Sequence, residues 1–568
     1  MSQLLKNKNF GIFAILIMTT VHCARQMAPS GGPEDKTPPA IISVIPEPNA
    51  THVPRDQIVE FEFSEGMNRK SLDRALFITP NPGDRVKIKW KGRRLRIQFL
   101  DSLLTNRTYV ITLGTGLKDA HGNSLSQSYT LAFSTGAEIS QGKIRGRVYT
   151  RRRSQGILIW AYILEKDPNP NPSKREGDYI TQTDARGNFT LSNLSEGWYR
   201  IFAIHDRDNN RFYEISTDAI GVPTRDIHLT SDRLSVDQVQ FKLSIQDTVG
   251  PALVSASAPD AHHVILKFDE RLDPATIGHV KNYSIYPKNG TDTLEVKLAY
   301  LNPLDSVEVH LVTEKQTGGQ PYEVLARNLL DLSQNLIDPN YNHLEFIGSA
   351  LPDTIRPRLL RTSPEDSAKS VFLDASIDFY FNEAMDSTTF APNFRLLDSN
   401  QVVIKGQLHW PAPSLVKFVP VKPLASLMNF TVVLNLQGIK DIFGNSVADS
   451  TFKLVFTTLD QDTLGSISGH VLDPDSSAKG AIYLTARQTR TNGVSYQIRL
   501  DQPGPYEFIN VLPGNYSIEG FRDRDGNGKY SYGRPIPFEP AERFVVYSDS
   551  VKVRARWPNE GNDIIFPK

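Results

Sequence analysis

At 568 residues the chain exceeds what one hydrophobic core supports, so several domains are expected. Its 63 basic and 63 acidic side chains cancel, which removes any broad electrostatic reason to bind nucleic acid or an anionic membrane. A single cysteine excludes an internal disulfide framework and any Cys-x-x-Cys zinc site.

Lys6 and Lys8 precede an apolar stretch from Phe10 to Val21. That stretch is too short for a membrane span of about 20 residues but suits a signal-peptide core. The lone cysteine, Cys23, stands where such a signal ends. Its setting resembles that of the acylated cysteine of bacterial lipoproteins, with Thr20 in place of the usual Leu and His22 in place of the usual small residue. The expectation is a signal peptide over 1–22, then lipidated Cys23 and a Pro- and Gly-rich tether over 23–39. One acyl chain anchors only marginally, and the lipoprotein modification implied by the resemblance supplies more than one. Ala24, rather than Asp, after the cysteine implies the outer membrane by the same resemblance.

Beyond the tether the chain repeats itself, and repeats are read before anything else. Phe63-Ser64-Glu65-Gly66-Met67 matches Phe381-Asn382-Glu383-Ala384-Met385, and Lys118-Asp119 with Gly122-Asn123 matches Lys440-Asp441 with Gly444-Asn445. A weaker copy runs from Phe268-Asp269-Glu270-Arg271-Leu272 to Asp331 and Asn335. Within these units apolar residues alternate with polar ones, as in Val59, Phe61 and Phe63 against Glu60 and Glu62, the period of a half-buried strand. A second repeat is interleaved with the first. A constant offset of 317 carries Gly187, Phe189, Asn193, Gly197 and Tyr199 to Gly504, Tyr506, Asn510, Gly514 and Tyr516, and Asp206, Asp208 and Asn210 to Asp523, Asp525 and Asn527.

The first repeat type resembles bacterial Ig-like domains of the S-layer-associated type, and the second resembles carboxypeptidase-regulatory or prealbumin-like domains. The leader, Cys23 followed by Pro29-Ser30-Gly31-Gly32-Pro33 and Thr37-Pro38-Pro39, resembles that of Ig-like lipoproteins of the Bacteroidota. The expected fold is all-β, a tandem array of β-sandwich domains. It comprises an Ig-like unit over 40–137, a regulatory-type unit over 138–247, a divergent Ig-like unit over 248–352, an Ig-like unit over 353–460 and a regulatory-type unit over 461–568.

For chemistry, the Asp-x-Asp-x-Asn runs stand out. Asp523-Arg524-Asp525-Gly526-Asn527-Gly528 reproduces the first half of a calcium loop, because Ca2+ takes several oxygen ligands and the glycine permits the tight turn. Arg534 stands where such a loop has its bidentate Glu. The earlier copy, Asp206, Asp208 and Asn210, lacks the glycine but adds Glu214. Ca2+ is the one cofactor these residues suggest, and a polar turn between strands is the competing reading. Asp119 and Asp441 read as turn residues, and Glu65 and Glu383 as strand-end caps. The adjacent His262 and His263 point to opposite faces of a strand. No catalytic residue is assigned, since nucleophile-elbow, phosphate-loop, dinucleotide and His-Glu-x-x-His patterns are all missing from the sequence.

The functional expectation is a non-enzymatic outer-membrane lipoprotein whose modules form a row, a rod or curved arm for display and interaction. Its partners would be the membrane, through the N-terminal lipid, and outer-membrane proteins, with no nucleic acid. The resemblance implies an accessory role in outer-membrane protein or surface-lipoprotein assembly. An adhesin or carbohydrate-binding protein is the alternative, and a hydrolase with an inter-domain loop site a further one. Cell-surface display is expected over the periplasmic face, although Arg25 separates Cys23 from the first acids, Glu34 and Asp35.

Overall fold

A computed structural model describes residues 35–567, apart from 81, 83, 84, 151–153, 209, 289, 291 and 492. Cys23, the signal peptide and most of the tether lie outside the described residues. Two compact units are present, Met1–Ile139 and Ser140–Lys568. The fold is all-β, built of tandem sandwiches, and among the described residues no helix is long and apolar enough to cross a membrane.

Residues 40–137 form a four-stranded sheet on a three-stranded one. Ile41–Ile45 pairs with Ile58–Phe63, which pairs with Arg94–Phe99 and then Val86–Lys91, while Leu76–Thr79, Thr108–Leu113 and Tyr129–Ser134 make the second sheet. The predicted alternation is met: Val59, Phe61 and Phe63 are fully buried, with Glu60 and Glu62 on the other face. Glu60 and Glu62 pair there with Arg96 and Arg94 on the neighbouring strand. The same four-plus-three order recurs in the stretches from Leu253 to Ile347 and from Leu359 to Thr457, each around its own apolar core. Burying a Phe or Val side chain is worth about 1.5–3 kcal/mol, so each core is held by a dozen or more such contributions against chain entropy.

The two regulatory-type units share another pattern. Gly142–Tyr149 runs antiparallel to Asn188–Leu194 and parallel to Ser235–Lys242, and Gly465–Leu472 likewise runs antiparallel to Pro505–Val511 and parallel to Pro558–Asn559 and Ile564–Ile565. The 317-residue offset now has physical content. Asn193 and Asn510 both adopt left-handed backbone, with φ of 57° and 56°, which Asn tolerates better than most residues. Tyr199 and Tyr516 are both buried and donate their hydroxyls to the carbonyls of Ser195 and Leu512, at 2.9 and 2.7 Å.

Residues 140–568 do not form an open row. The last sandwich returns to the first. Lys242 donates to Glu519 at 2.8 Å, and its ammonium lies 4.8 Å from the ring centroids of both Tyr530 and Phe544. Tyr149 meets Phe544 edge-on, and Arg200 sits 3.5 Å over the ring of Phe538 while its fork holds Asp226 at 2.8 Å through both arms. The Ala541 amide donates to the Pro223 carbonyl. With the Asn335 side chain donating to the Asp247 carbonyl at the linker, His262 and His263 against Phe443, and Phe372 against Tyr496, the circuit closes. Contacts between residues so distant in sequence carry no local pattern, which is why the linear arrangement expected from the repeats fails for these four.

The second regulatory-type unit is pinned internally by Asp473, whose side chain is 1% exposed. Arg543 donates to both its oxygens, at 2.9 and 3.0 Å, and Arg522 donates at 3.1 Å. Burial pushes this carboxyl up, but the hydrogen bonds from Arg543, Arg522 and the Asp475 amide, with the Arg543 charge, outweigh it and hold it below the ordinary carboxylate value. A depressed carboxylate stabilises the fold above its unfolded pKa of about 4 and loses that contribution as pH falls through the lower folded value. Asp473→Asn is expected to lower unfolding stability at neutral pH by about 3 kcal/mol, since two guanidiniums lose their counter-charge. In urea titrations from pH 6 to pH 2, the variant should show a flatter acid limb than the parent.

Candidate functional site

Asp523 closes the long strand Gly514–Asp523 and organises the loop that follows. Its Oδ1 accepts from the amides of Gly526 and Asn527 at 2.8 and 3.0 Å, and its Oδ2 accepts from Gly528 at 2.9 Å. Asp525 accepts from the Asn527 amide at 3.1 Å and from the Ser531 hydroxyl at 2.6 Å, and Asn527 accepts from the Lys529 amide at 2.7 Å. A third carboxylate arrives from elsewhere. Glu542, 2% exposed, accepts from the Arg524 and Ser531 amides, and its oxygens come within 4.8 Å of those of Asp523 and Asp525. Burial, then the charges of Asp525 and Asp523, push the Glu542 carboxyl up. Asp523, Asp525 and Glu542 are thus the residues that could hold an ion here.

The earlier loop is built differently. Asp206 accepts from the Asn210 and Arg211 amides, Asp208 from the Asn210 amide and side chain, and Glu214 from the Asn210 side chain and the Thr217 hydroxyl. The counterpart of Glu542 is Asp218, 1% exposed, which accepts from the Arg207 and Glu214 amides. From Asp218 to Glu542 the offset is 324 rather than 317. This slip hides the pair from sequence comparison.

A further set of carboxylates converges in the Ig-like units, and sequence reasoning missed the convergence. Three times, the linker aspartate ahead of the unit meets the Glu of the Phe-x-Glu stretch and the Asp that opens the Asp-x-x-Gly-Asn turn or its divergent copy. The trios are Asp35, Glu65 and Asp119; Asp247, Glu270 and Asp331; and Asp353, Glu383 and Asp441, with one oxygen of each residue within 4.8 Å of the others. Backbone bridges set this register, linking Met67 to Asp119, Leu272 to Asp331 and Met385 to Asp441. The turn aspartate is fixed the same way each time. Asp441 accepts from the Phe443 and Asn445 amides at 2.9 and 2.8 Å and from the Asn445 side chain at 2.9 Å, and Asp119 and Asp331 repeat the set. The asparagine's amide group then donates to the linker carbonyl, from Asn123 to Asp35, Asn335 to Asp247 and Asn445 to Asp353.

The electrostatic consequence falls on the glutamates. Burial, then the neighbouring aspartates, push both Glu270 and Glu383 up to about 7, and Glu65 shifts in the same direction. Asp119 goes the other way, because hydrogen bonds from Asn123, His121 and Gly122 outweigh its burial. The turn reading of Asp119 and Asp441 matches these hydrogen bonds, whereas Glu65 and Glu383 stand among carboxylates instead of acting only as caps. A signal was present in the sequence, since 30 residues separate Asp35 from Glu65 and Asp353 from Glu383.

Segments 35–135 and 353–458 match the family model described as Bacterial Ig-like domain, and the chain carries such domains there. No curated protein matches the chain. Among solved structures, the N-terminal part of the bacterial S-layer protein SbsC aligns at 15% identity over 37% of this chain and 44% of that one, with a TM-score of 0.17. SbsC domains 1–6 align at 11% identity over 91% of this chain and 66% of that one, TM-score 0.17. The N-terminal four Ig domains of Dscam1 isoform 6.9 align at 10% identity over 71% and 91%, TM-score 0.17. The chain thus spans less than half the length of the first of these.

Gly444 tests the turn that positions Asp441. Its φ is +92° and a Cβ there would meet nothing within 4 Å, so Gly444→Ala isolates the backbone term. Thermal denaturation should show a loss of about 1 kcal/mol, and Lys422→Ala, at an exposed position of the same unit, makes a surface control.

Proposed function

We propose that the chain is a non-enzymatic scaffold, anchored by lipid at Cys23 to the outer membrane, that presents a preformed module assembly to membrane-protein partners. The observation that carries this reading is the closed circuit of residues 140–568, in which the last sandwich is locked to the first by the Lys242–Glu519 ion pair and its aromatic surround. An interaction surface held rigid before binding avoids ordering costs on association. The finer reading is an accessory subunit of outer-membrane protein or surface-lipoprotein assembly machinery, displayed on the cell-surface side. A second reading, carbohydrate binding in an adhesin, has one observation in its favour. Trp198, 46% exposed, stacks flat on His228 at 4.3 Å and leaves an aromatic platform at the surface.

Two experiments test the anchored scaffold. Cells fed an alkyne-bearing palmitate should label the parent protein and place it in the outer-membrane fraction, and Cys23→Ala should do neither. Equal labelling of the variant removes the anchor. Lys242→Glu sets two carboxylates face to face at the closing joint. Small-angle scattering should show a larger radius of gyration for this variant, with unchanged far-UV circular dichroism. An unchanged radius means that the joint does not depend on this pair.

A further inference from the structure

The sheet of Gly142–Tyr149, Asn188–Leu194 and Ser235–Lys242 turns one face to the core of the first regulatory-type unit. Alternate residues of a strand share a face, so Lys143, Arg145 and Arg147 stand in one exposed row along the central strand. Neighbours in the row are roughly 6.6 Å apart along the chain. Arg145 is matched by Asp237, whose carboxylate it meets at 2.6 and 3.2 Å. Lys143 and Arg147 make no ion pair among the described residues. Arg147 instead donates through Nε to the Arg186 carbonyl at 3.1 Å and lies over the Tyr149 ring. Its neighbours across the sheet, Asn188 on one side and Gln240 on the other, are neutral, and so is Thr190 beside Arg145.

The last sandwich supplies an internal comparison. Its parallel register pairs Ile467 with Asn559 as Ile144 pairs with Val236, so these strands correspond at an offset of 323. Lys143, Arg145 and Arg147 then correspond to Ser466, Ser468 and His470. Gln240 corresponds to Asp563, which lies 3.6 Å from His470, and Glu507 stands opposite Ser468. The same sandwich therefore folds without the cationic row. Gln238 makes the sharper contrast. It sits in the bulge between Val236 and Val239 with a φ of 61°, and its counterpart is Gly561, with a φ of 77°. Where one copy has the residue that enters left-handed backbone freely, the other keeps a long amide side chain at a conformational cost. Arg145, Arg147, Gln238 and Gln240, with Val546 and Ile565 of the last sandwich, line a groove of about 510 Å³ at the closing joint. Small-ligand sites have this size and favour such interfaces.

We propose that this groove binds an acidic polysaccharide, with Arg147 taking a carboxylate of the sugar chain and Gln238, Gln240, Asn188 and Thr190 its hydroxyls. A guanidinium without a counter-charge matches a carboxylate in shape and charge, and Lys143 carries the cationic row on past the groove for the next acidic sugar. The neutral amides and hydroxyl on either side of the row donate and accept, as sugar hydroxyls require. Single-stranded nucleic acid asks instead for aromatic rings on which bases stack, and here the Tyr149 ring is taken by Arg147 and by the edge of Phe544. An extended peptide asks for a free strand edge or pockets for alternate side chains, whereas this groove runs over the face of a sheet. Binding here requires neither the lipid anchor nor the Trp198 platform.

The test titrates the whole chain in a calorimeter with oligogalacturonate, with the same oligomer methyl-esterified, with poly-glutamate and with single-stranded DNA. The acidic oligomer should bind, less tightly as salt rises. Esterification should weaken it about tenfold, and so should Arg147→Gln, the cost of one charge-assisted contact. Gln238→Gly should also weaken binding while the melting temperature is held, because glycine fits that backbone. His470→Gln, at the corresponding place in the other copy, should leave affinity unchanged. No binding of oligogalacturonate, equal affinity for its ester, or parental affinity in the Arg147→Gln protein overturns the proposal. Tighter binding of poly-glutamate or DNA overturns it as well, by assigning the row to another class of ligand.

Discussion

Every Ig-like unit here is entered through a linker aspartate whose backbone carbonyl is held by an asparagine 88 or 92 residues further along the chain. That single side-chain amide ties the incoming linker to a turn that lies late in the unit's sequence. The same asparagine also holds the turn aspartate, so the linker's path and the turn's shape are fixed together. With the linker fixed, its carboxylate is brought among two others, and the angle at which one module leaves the last is constrained. The linker's path and the crowding of negative charge both depend on this one grip.

Within residues 140–568 the joints are of different chemical kinds. Carboxylates and imidazole meet between the divergent and second Ig-like units. Leu373, Leu459 and Leu464 make an apolar joint between the second Ig-like unit and the last sandwich. The closing joint combines an ion pair with cation–π contacts. Salt weakens the exposed part of the third, and apolar burial holds the second regardless of salt. Salt alone therefore does not loosen all of them together.

Much of this architecture could be read from the residues. The alternation in Ile58–Phe63 gave a half-buried strand, and the gap-free offset of 317 gave two copies of one sandwich, because strands and turns impose short-range periods on sequence. Asp119 and Asp441 were readable as turn residues for the same local reason. The trios left only the shared 30-residue spacing of Asp35–Glu65 and Asp353–Glu383, since Asp35, Asp247 and Asp353 lie in linkers without periodicity and meet their partners through tertiary register. Glu542 escaped because an insertion moved it out of the repeat's alignment. Closure was equally hidden, for Lys242 and Glu519 are 277 residues apart and nothing local marks either as half of a pair.

The closing joint has one more implication, which concerns symmetry. The offset of 317 places Phe202 of the first regulatory-type unit at the position of Glu519 in the second, and both residues face the partner module, Phe202 against Phe538 and Glu519 against Lys242. Two copies of one ancestral face thus meet, but a ring on one is matched by a charge on the other. A self-complementary face would let identical modules from separate chains pair as readily as these two do. Divergence at this position, and at Arg200 against Ser517, favours the unlike copy, which the two intervening modules already hold at an effective concentration on the order of millimolar. Two unlike copies of one repeated sandwich thus join the ends of residues 140–568 within a single molecule.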